Sequence, residues 1–241
     1  IRDQPRSRGL GDVYKRQYLL FSKPLLNRIF PTMLSVRHYV ALTLQVKLLQ
    51  RGATFALSAS LRPRNSDEVI LVAAQPGMGK TETTLALARS GRFALLSDDL
   101  TVVSSQGVAY AFPWNPLRRV GLLRRALKLS KIGVPLAAEG KPKVLVILES
   151  GIRNSLESIE LEEAVKRVLA ATRCILNYRL DRAIAGYEYC NDGFSIEELR
   201  AKEEGVLKAG LRSVDAYLLK YRSYEFLMSG VLRAARKSGI V

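Results

Sequence analysis

Apolar and polar positions alternate along this chain in short blocks, a pattern typical of an α/β protein. Short, mostly apolar runs that are bounded by glycine, proline or acidic residues predict buried strands. Longer stretches with apolar residues every three or four positions predict helices. The predicted strands are 53–61, 69–74, 93–97, 100–103, 108–112 and 144–148, and the predicted helices are 31–51, 83–89, 120–132, 161–175, 195–207 and 215–236.

Local signals connect several of these segments. The polar residues 62–68 predict a turn, so the strands on either side of it are expected to pair as a hairpin. Ser195 and Glu198 have the spacing of a capping box, which predicts the start of a charged helix. The order of elements therefore indicates one α/β domain rather than an array of repeats.

The two ends of the chain give different expectations. Residues 1–17 resemble a translated sequencing adapter, so we expect a non-native leader there and leave it out of the fold prediction. Residues 18–52 predict an N-terminal helical segment, and residues 53–241 predict one nucleotide-binding domain with a helical C-terminal part. No apolar run reaches the roughly 18 residues that a membrane span needs, so we expect no membrane association.

Composition narrows the class of protein only partly. The chain has 38 Lys and Arg against 22 Asp and Glu, a formal net charge of +16, which predicts attraction to nucleotides, nucleic acid or other polyanions. Six cations between residues 117 and 131 form either an anion-binding face or, as we favour, the solvated side of a helix. Cys174 and Cys190 form no metal-binding pattern with His38, so we expect two reduced thiols in a cytoplasmic protein. The oligomeric state is not predicted.

The most specific motif is residues 74–81, Ala-Gln-Pro-Gly-Met-Gly-Lys-Thr, at the end of a predicted buried strand. This is the pattern of a P-loop, or Walker A motif, with Ala74 in place of the first glycine. Small residues let backbone amides converge on phosphate oxygens, Lys80 would reach the β- and γ-phosphates, and Thr81 would offer its hydroxyl to Mg²⁺. The residues expected to contact a nucleotide are Gln75, Pro76, Gly77, Met78, Gly79, Lys80, Thr81 and Glu82.

An acidic doublet, Asp98 and Asp99, follows the predicted strand 93–97. Phosphoryl transfer depends on positioning and on neutralising charge, so one acid could hold Mg²⁺ while the other orients or deprotonates an attacking hydroxyl. The alternative is a solvated turn. The P-loop upstream favours the functional interpretation.

Three segments, 77–83, 89–92 and 96–100, together resemble the catalytic domain of HPr kinase/phosphorylase. The likeness extends to HPr kinase-like ATPases and small-molecule serine kinases, which share a fold with phosphoenolpyruvate carboxykinase. It implies a mixed sheet flanked by helices and an ATP-dependent kinase that uses Mg²⁺ and a hydroxyl-bearing small molecule or protein serine. By this resemblance Lys80 contacts the β- and γ-phosphates, Thr81 and Asp99 serve the metal, and Asp98 is the catalytic base.

One departure from the family pattern leaves other functions open. These relatives usually carry a histidine shortly before the P-loop strand, where this chain has Ser58. A nucleotide-binding regulatory ATPase without transferase activity is therefore an alternative, and the basic excess leaves a nucleic-acid-associated ATPase as a third. The family's signature for HPr itself is not found, so we do not expect HPr as the substrate. The C-terminal tyrosines could stack on bases or simply pack in the core, and we assign them no function; they are Tyr178, Tyr187, Tyr189, Tyr217, Tyr221 and Tyr224.

Overall fold

The structure is a computed structural model that describes residues 36–112, 134–177 and 195–241. The expected leader 1–17, the basic run 120–132, Cys190 and three of the six tyrosines lie outside these residues. The helices are α1 Val36–Gln50, α2 Lys80–Arg89, α3 Leu161–Asn177, α4 Ile196–Gly210 and α5 Tyr224–Lys237. The strands are β1 Ala53–Ala56, β2 Ser58–Pro63, β3 Glu68–Ala73, β4 Phe93–Ser97, β5 Thr101–Ser104, β6 Ala109–Ala111, β7 Glu139–Ser150, β8 Ser155–Ser158 and β9 Asp215–Tyr221.

The strands form a mixed sheet whose central part has the order β4-β2-β3-β7-β9-β8. β2 is antiparallel to both β3 and β4, whereas β3, β7 and β9 run parallel to one another. β4 therefore points the same way as β3, β7 and β9, so the carboxyl ends of these four strands lie at one edge of the sheet. Ligands of α/β sheets commonly bind outside such an edge.

Strand β7 also carries a second group of strands. Its first residues pair antiparallel with β6, which continues through β5 to β1. β7 is 12 residues long, and its later residues pair with β3 and β9. One strand thus belongs to both parts of the sheet.

Helices cover both faces of the central sheet, because the side chains of each strand alternate between two buried layers. Val69 and Leu71 of β3 pack in one cluster with α3 and α4, whereas Ile70 and Val72 pack in the other with α2 and α5. All four side chains are at most 1% exposed. The described residues therefore form a three-layer mixed α/β fold with helices on both sides of the sheet.

A buried group of polar side chains, the polar cluster, links the helices on one face. The Gln45 amide donates to Thr54 Oγ1 at 2.8 Å and to Glu203 Oε1 at 3.0 Å. The other oxygen of Glu203 accepts from Arg173 Nε at 2.8 Å. The cluster joins α1, α3 and α4 through hydrogen bonds in a region where unpaired polar groups would be costly.

Two sequence predictions about these elements are wrong. Residues 53–61 form two strands instead of one, since the chain leaves the first strand at Leu57, whose amide donates to Thr172 Oγ1 at 2.9 Å. Residues 215–236 are not one continuous helix, because Asp215–Tyr221 is strand β9 and only the part from Tyr224 onward is helix. The central residues of β9 are buried against both faces, so its pattern reflects a two-sided strand.

Other predictions are confirmed. The hairpin forms between β2 and β3, and β4 occupies the predicted residues 93–97. Ser195 caps α4, with its hydroxyl accepting from the Glu198 amide at 3.3 Å. None of the helices within the described ranges has both the length and the apolar character that crossing a bilayer requires.

Candidate functional site

The motif at residues 74–81 spans the junction between β3 and α2. β3 ends at Ala73 and α2 begins at Lys80, so residues 74–79 form the connection, here called the phosphate loop. Gly77 and Gly79 have φ angles of 84° and 76°, a backbone region that other residues rarely adopt. The glycines of the motif are therefore required by the path of the chain around the loop.

Lys80 is folded back into this loop. Its ammonium donates to the Ala74 carbonyl at 2.7 Å and to the Gln75 carbonyl at 3.1 Å, and the residue is 5% exposed. A buried ammonium is costly unless hydrogen-bonded, and the loop carbonyls supply these bonds. The arrangement fixes a positive charge inside the loop and next to the amino end of α2, where anions are favoured.

The acidic doublet lies at the same edge of the sheet as the phosphate loop. Thr81 Oγ1 donates to the Asp98 carbonyl at 2.9 Å, although strand β2 lies between β3 and β4 in the sheet. Ser97 supports this turn from the other side, since its hydroxyl donates to the Leu100 carbonyl at 2.7 Å. Asp98 and Asp99 are both half-buried. The structure thus brings Thr81 and the acidic turn together, as a shared site requires.

The residue types at this junction fit a magnesium ion that is shared with a nucleotide. Thr81 uses its proton on the Asp98 carbonyl, which leaves oxygen lone pairs that can face a cation. Mg²⁺ is usually held by one or two carboxylates together with substrate phosphates rather than by a complete protein cage. The part of the chain that the structure describes has no cluster of three or more acidic, histidine or cysteine ligands.

Ser58, at the position where a histidine was expected, is completely buried. It lies opposite Ala73 across the hairpin, directly before the phosphate loop. Its hydroxyl donates to Thr101 Oγ1 at 3.0 Å, and the Thr101 hydroxyl donates back to the Ser58 carbonyl at 3.0 Å. Ser60 joins the same group through Thr101 Oγ1 at 3.0 Å. These hydroxyls satisfy one another inside the sheet.

Sequence reasoning missed two tyrosines at the loop, Tyr221 and Tyr224, here called the tyrosine pair. The Tyr221 hydroxyl donates to the Met78 carbonyl at 3.0 Å. The Tyr224 ring lies beside Gly79, where an added Cβ would be 3.5 Å from Tyr224 Cε2 and 3.1 Å from Leu227 Cδ2. The prediction of a helix over 215–236 hid this arrangement. A signal was present in the run Asp-Ala-Tyr-Leu-Leu-Lys-Tyr, whose short apolar centre also fits a strand.

The electrostatics of the tyrosine pair agree with this position. Burial raises the pKa of Tyr221, and the charge of Glu82 raises it further. Burial also raises the pKa of Tyr224, against a smaller opposing effect of the Thr83 hydroxyl and with a further contribution from Glu82. Both phenols therefore stay protonated at neutral pH, next to the first turn of α2.

Comparisons with solved structures show a distant likeness. No family model and no curated protein matches this chain. Among solved structures, the chain is similar to the Hpr(Ser) kinase/phosphatase from Coxiella burnetii, with a TM-score of 0.39 and 10% sequence identity. The match covers 76% of this chain and 97% of that chain. At this level the likeness is one of overall structure only, and the roles expected for the site residues stay predictions.

Proposed function

We propose that this chain binds ATP in the phosphate loop and is an ATP-dependent kinase that transfers the γ-phosphoryl group to a hydroxyl acceptor. The observation that carries the proposal is the hydrogen bond from Thr81 to the Asp98 carbonyl. It joins the helix that would receive the phosphates to the turn that bears two carboxylates. The acceptor would be a small molecule or a protein serine, as the motif resemblance implies.

Each residue of the site has a role in this proposal. The loop amides and the Lys80 ammonium bind and orient the β- and γ-phosphates. Mg²⁺, bound through Thr81 and Asp99 together with the phosphates, would supply charge neutralisation. The Asp98 carboxylate accepts the proton of the acceptor hydroxyl as that oxygen bonds to the γ-phosphorus. The bond between the γ-phosphorus and the β,γ-bridging oxygen breaks, and ADP leaves.

The test is transfer from labelled ATP to a panel of hydroxyl compounds that includes free serine and serine peptides. Asp98→Asn keeps the size of the side chain but cannot accept the proton, so we expect a loss of roughly 10²- to 10⁴-fold in transfer rate. Asp215→Asn is the matched control, since Asp215 is an exposed acid at the first residue of β9, away from the loop edge. ATP binding without transfer to any member of the panel would contradict the kinase assignment.

A second candidate function is a nucleotide-binding regulatory module that has lost transfer. The closed hydroxyl group around Ser58 favours it, because the position of the expected histidine holds a side chain with no exposed surface. Ser58→His discriminates between the candidates. A gain of transfer would support a lost catalytic histidine. Stable folding with unchanged ATP binding and no transfer would instead make position 58 irrelevant to the chemistry.

A further inference from the structure

The phosphate loop lies between two different flanks. α2 packs over β2, β3 and β4, and on that side Thr81 meets the turn of the acidic doublet. α5 packs over β7 and β9 and also contacts α2, which brings the tyrosine pair to Met78 and Gly79 on the other side. The sheet order β4-β2-β3-β7-β9 therefore separates the acids from the tyrosines.

This separation determines how a bound nucleotide would be oriented in the loop. In the proposed function, on which this inference rests, the γ-phosphate faces the acidic doublet because the metal and the acceptor hydroxyl are there. The remainder of the nucleotide then leaves the loop on the opposite side, where the tyrosine pair lies. We propose that Tyr224, an exposed aromatic residue beside the loop, is the surface on which the nucleotide base stacks.

Tyr224 has the surface and the support that such a contact requires. It is the first residue of α5 and is 41% exposed, although its ring packs beside Gly79. One helical turn later Leu227 is fully buried, so the start of α5 is anchored in the core. A planar aromatic ring with a free face stacks on any base, which makes it a sequence-tolerant platform.

Tyr221 and Glu82 complete this flank. Tyr221 holds the Met78 carbonyl and so positions the tip of the loop rather than offering a surface. Glu82 is exposed in the first turn of α2, and its negative charge adds to the effect of burial in raising the pKa of both tyrosines. A carboxylate here disfavours phosphate and is a hydrogen-bond acceptor for sugar hydroxyls. The chemistry of this flank suits a nucleoside rather than the triphosphate.

The experiment compares two ligands that share the phosphate chain but differ in the nucleoside. Calorimetry measures the affinity of Mg-ATP and of inorganic tripolyphosphate with Mg²⁺ for the whole chain and for its variants. Tyr224→Leu keeps an apolar contact with Gly79 but has no aromatic face, so ATP should bind roughly 5- to 150-fold more weakly. Tripolyphosphate should bind as it does to the unchanged protein.

Two further variants serve as controls. Tyr224→Phe keeps the ring and should retain the ATP affinity. Tyr110 is similarly exposed, at 37%, but lies on β6, which pairs with the opposite end of β7 from the phosphate loop. Tyr110→Leu should therefore change neither affinity.

The outcomes separate the inference from the proposed function. If the unchanged protein binds neither ligand, the proposed function fails. If it binds both and Tyr224→Leu leaves the ATP affinity intact, or weakens both ligands equally, the phosphate site stands and the base-stacking surface is overturned.

A second measurement covers the case in which Tyr224→Leu does not fold. Protein labelled with 3-fluorotyrosine gives fluorine NMR signals, and Tyr224→Phe identifies the signal of Tyr224 by its loss. That signal should shift with Mg-ATP and not with tripolyphosphate. Equal shifts with both ligands, or none, would overturn the proposal.

Discussion

The sheet edge that carries the phosphate loop and the polar cluster that joins α1, α3 and α4 both bury charged groups. The two regions differ in the partners of these charges. In the polar cluster the Glu203 carboxylate accepts from two side chains, and these bonds join three helices. At the loop edge Lys80 is held by backbone carbonyls, and two half-buried acids stand beside a hydroxyl. A ligand could replace the loop carbonyls without disturbing the core.

The comparison indicates where function and stability reside in this fold. Replacing a charge in the polar cluster should change the free energy of unfolding. A replacement at the loop edge should change ligand binding instead. Natural proteins commonly accept such locally unfavourable arrangements at functional sites.

Within this comparison of the two regions, the largest effect is expected from Lys80→Met, which keeps the approximate length of the side chain and removes its charge. Loss of one preorganised charge that faces the phosphates should lower kcat/KM for ATP turnover by roughly 10²- to 10³-fold. Urea denaturation should show only a small change in stability, because removing the buried ammonium also removes its desolvation cost and so offsets the loss of its bonds to the Ala74 and Gln75 carbonyls. Lys47→Met, an exposed lysine of α1, is the matched control and should leave both quantities unchanged. Wild-type turnover in Lys80→Met would remove the contrast between the two regions.

The second effect is on stability and lies in the polar cluster. Arg173→Leu deprives the Glu203 carboxylate of its charged donor, so the free energy of unfolding should fall by about 1–3 kcal/mol. Arg167→Leu on the same helix is the control, since Arg167 pairs with Glu149 and Glu163 where both partners are more exposed, and it should cost about 0–1 kcal/mol. Neither change should alter ATP affinity. Equal losses from the two variants would show that the cluster has no special role.

The smallest effect is a pH dependence of stability. Burial raises the pKa of Glu203, more than its bonds to Arg173 and Gln45 lower it. The folded protein therefore holds this proton more strongly than the unfolded chain, and the associated stability is present below the unfolded value of about 4.5. It is lost as the pH rises through the folded pKa.

Glu203→Gln cannot titrate and should lack this component. Chemical denaturation at a series of pH values from about 4 to 8 should show the unfolding free energy of the unchanged protein falling relative to that of the variant. Parallel profiles for the two proteins would mean that the environment of Glu203 does not favour its protonated form.

The sequence predicted those parts of the fold that local patterns determine. β4 matches its predicted residues because a buried apolar run there ends at a pair of acids. Helix α4 begins where the Ser195 capping box predicted. The first part of segment 215–236 was misassigned because a short apolar run fits a helix and a two-sided strand equally well. Its true structure depends on pairing with β7, which no local pattern reports.

The candidate site shows the same division. The path of the phosphate loop followed from its glycines and its position after a strand. The contact between Thr81 and Asp98 required β4 to lie beside β2, which is a property of the whole sheet. The contact of the tyrosine pair with the loop was not predicted, since Tyr221 reaches Met78 across 143 positions of the chain. These contacts depend on the position of β9 in the sheet.

The bond between the Tyr221 hydroxyl and the Met78 carbonyl also bears on how the chain can be divided. The recognisable motif occupies one short stretch of sequence, yet the hydrogen bond to its loop comes from Tyr221 on the last strand of the described sheet. A fragment that stops before β9 would retain every residue of the motif but would lack Tyr221, whose hydroxyl bonds the loop. We therefore expect the chain to bind a ligand only after the carboxyl-terminal segment that contains β9 has folded onto the sheet.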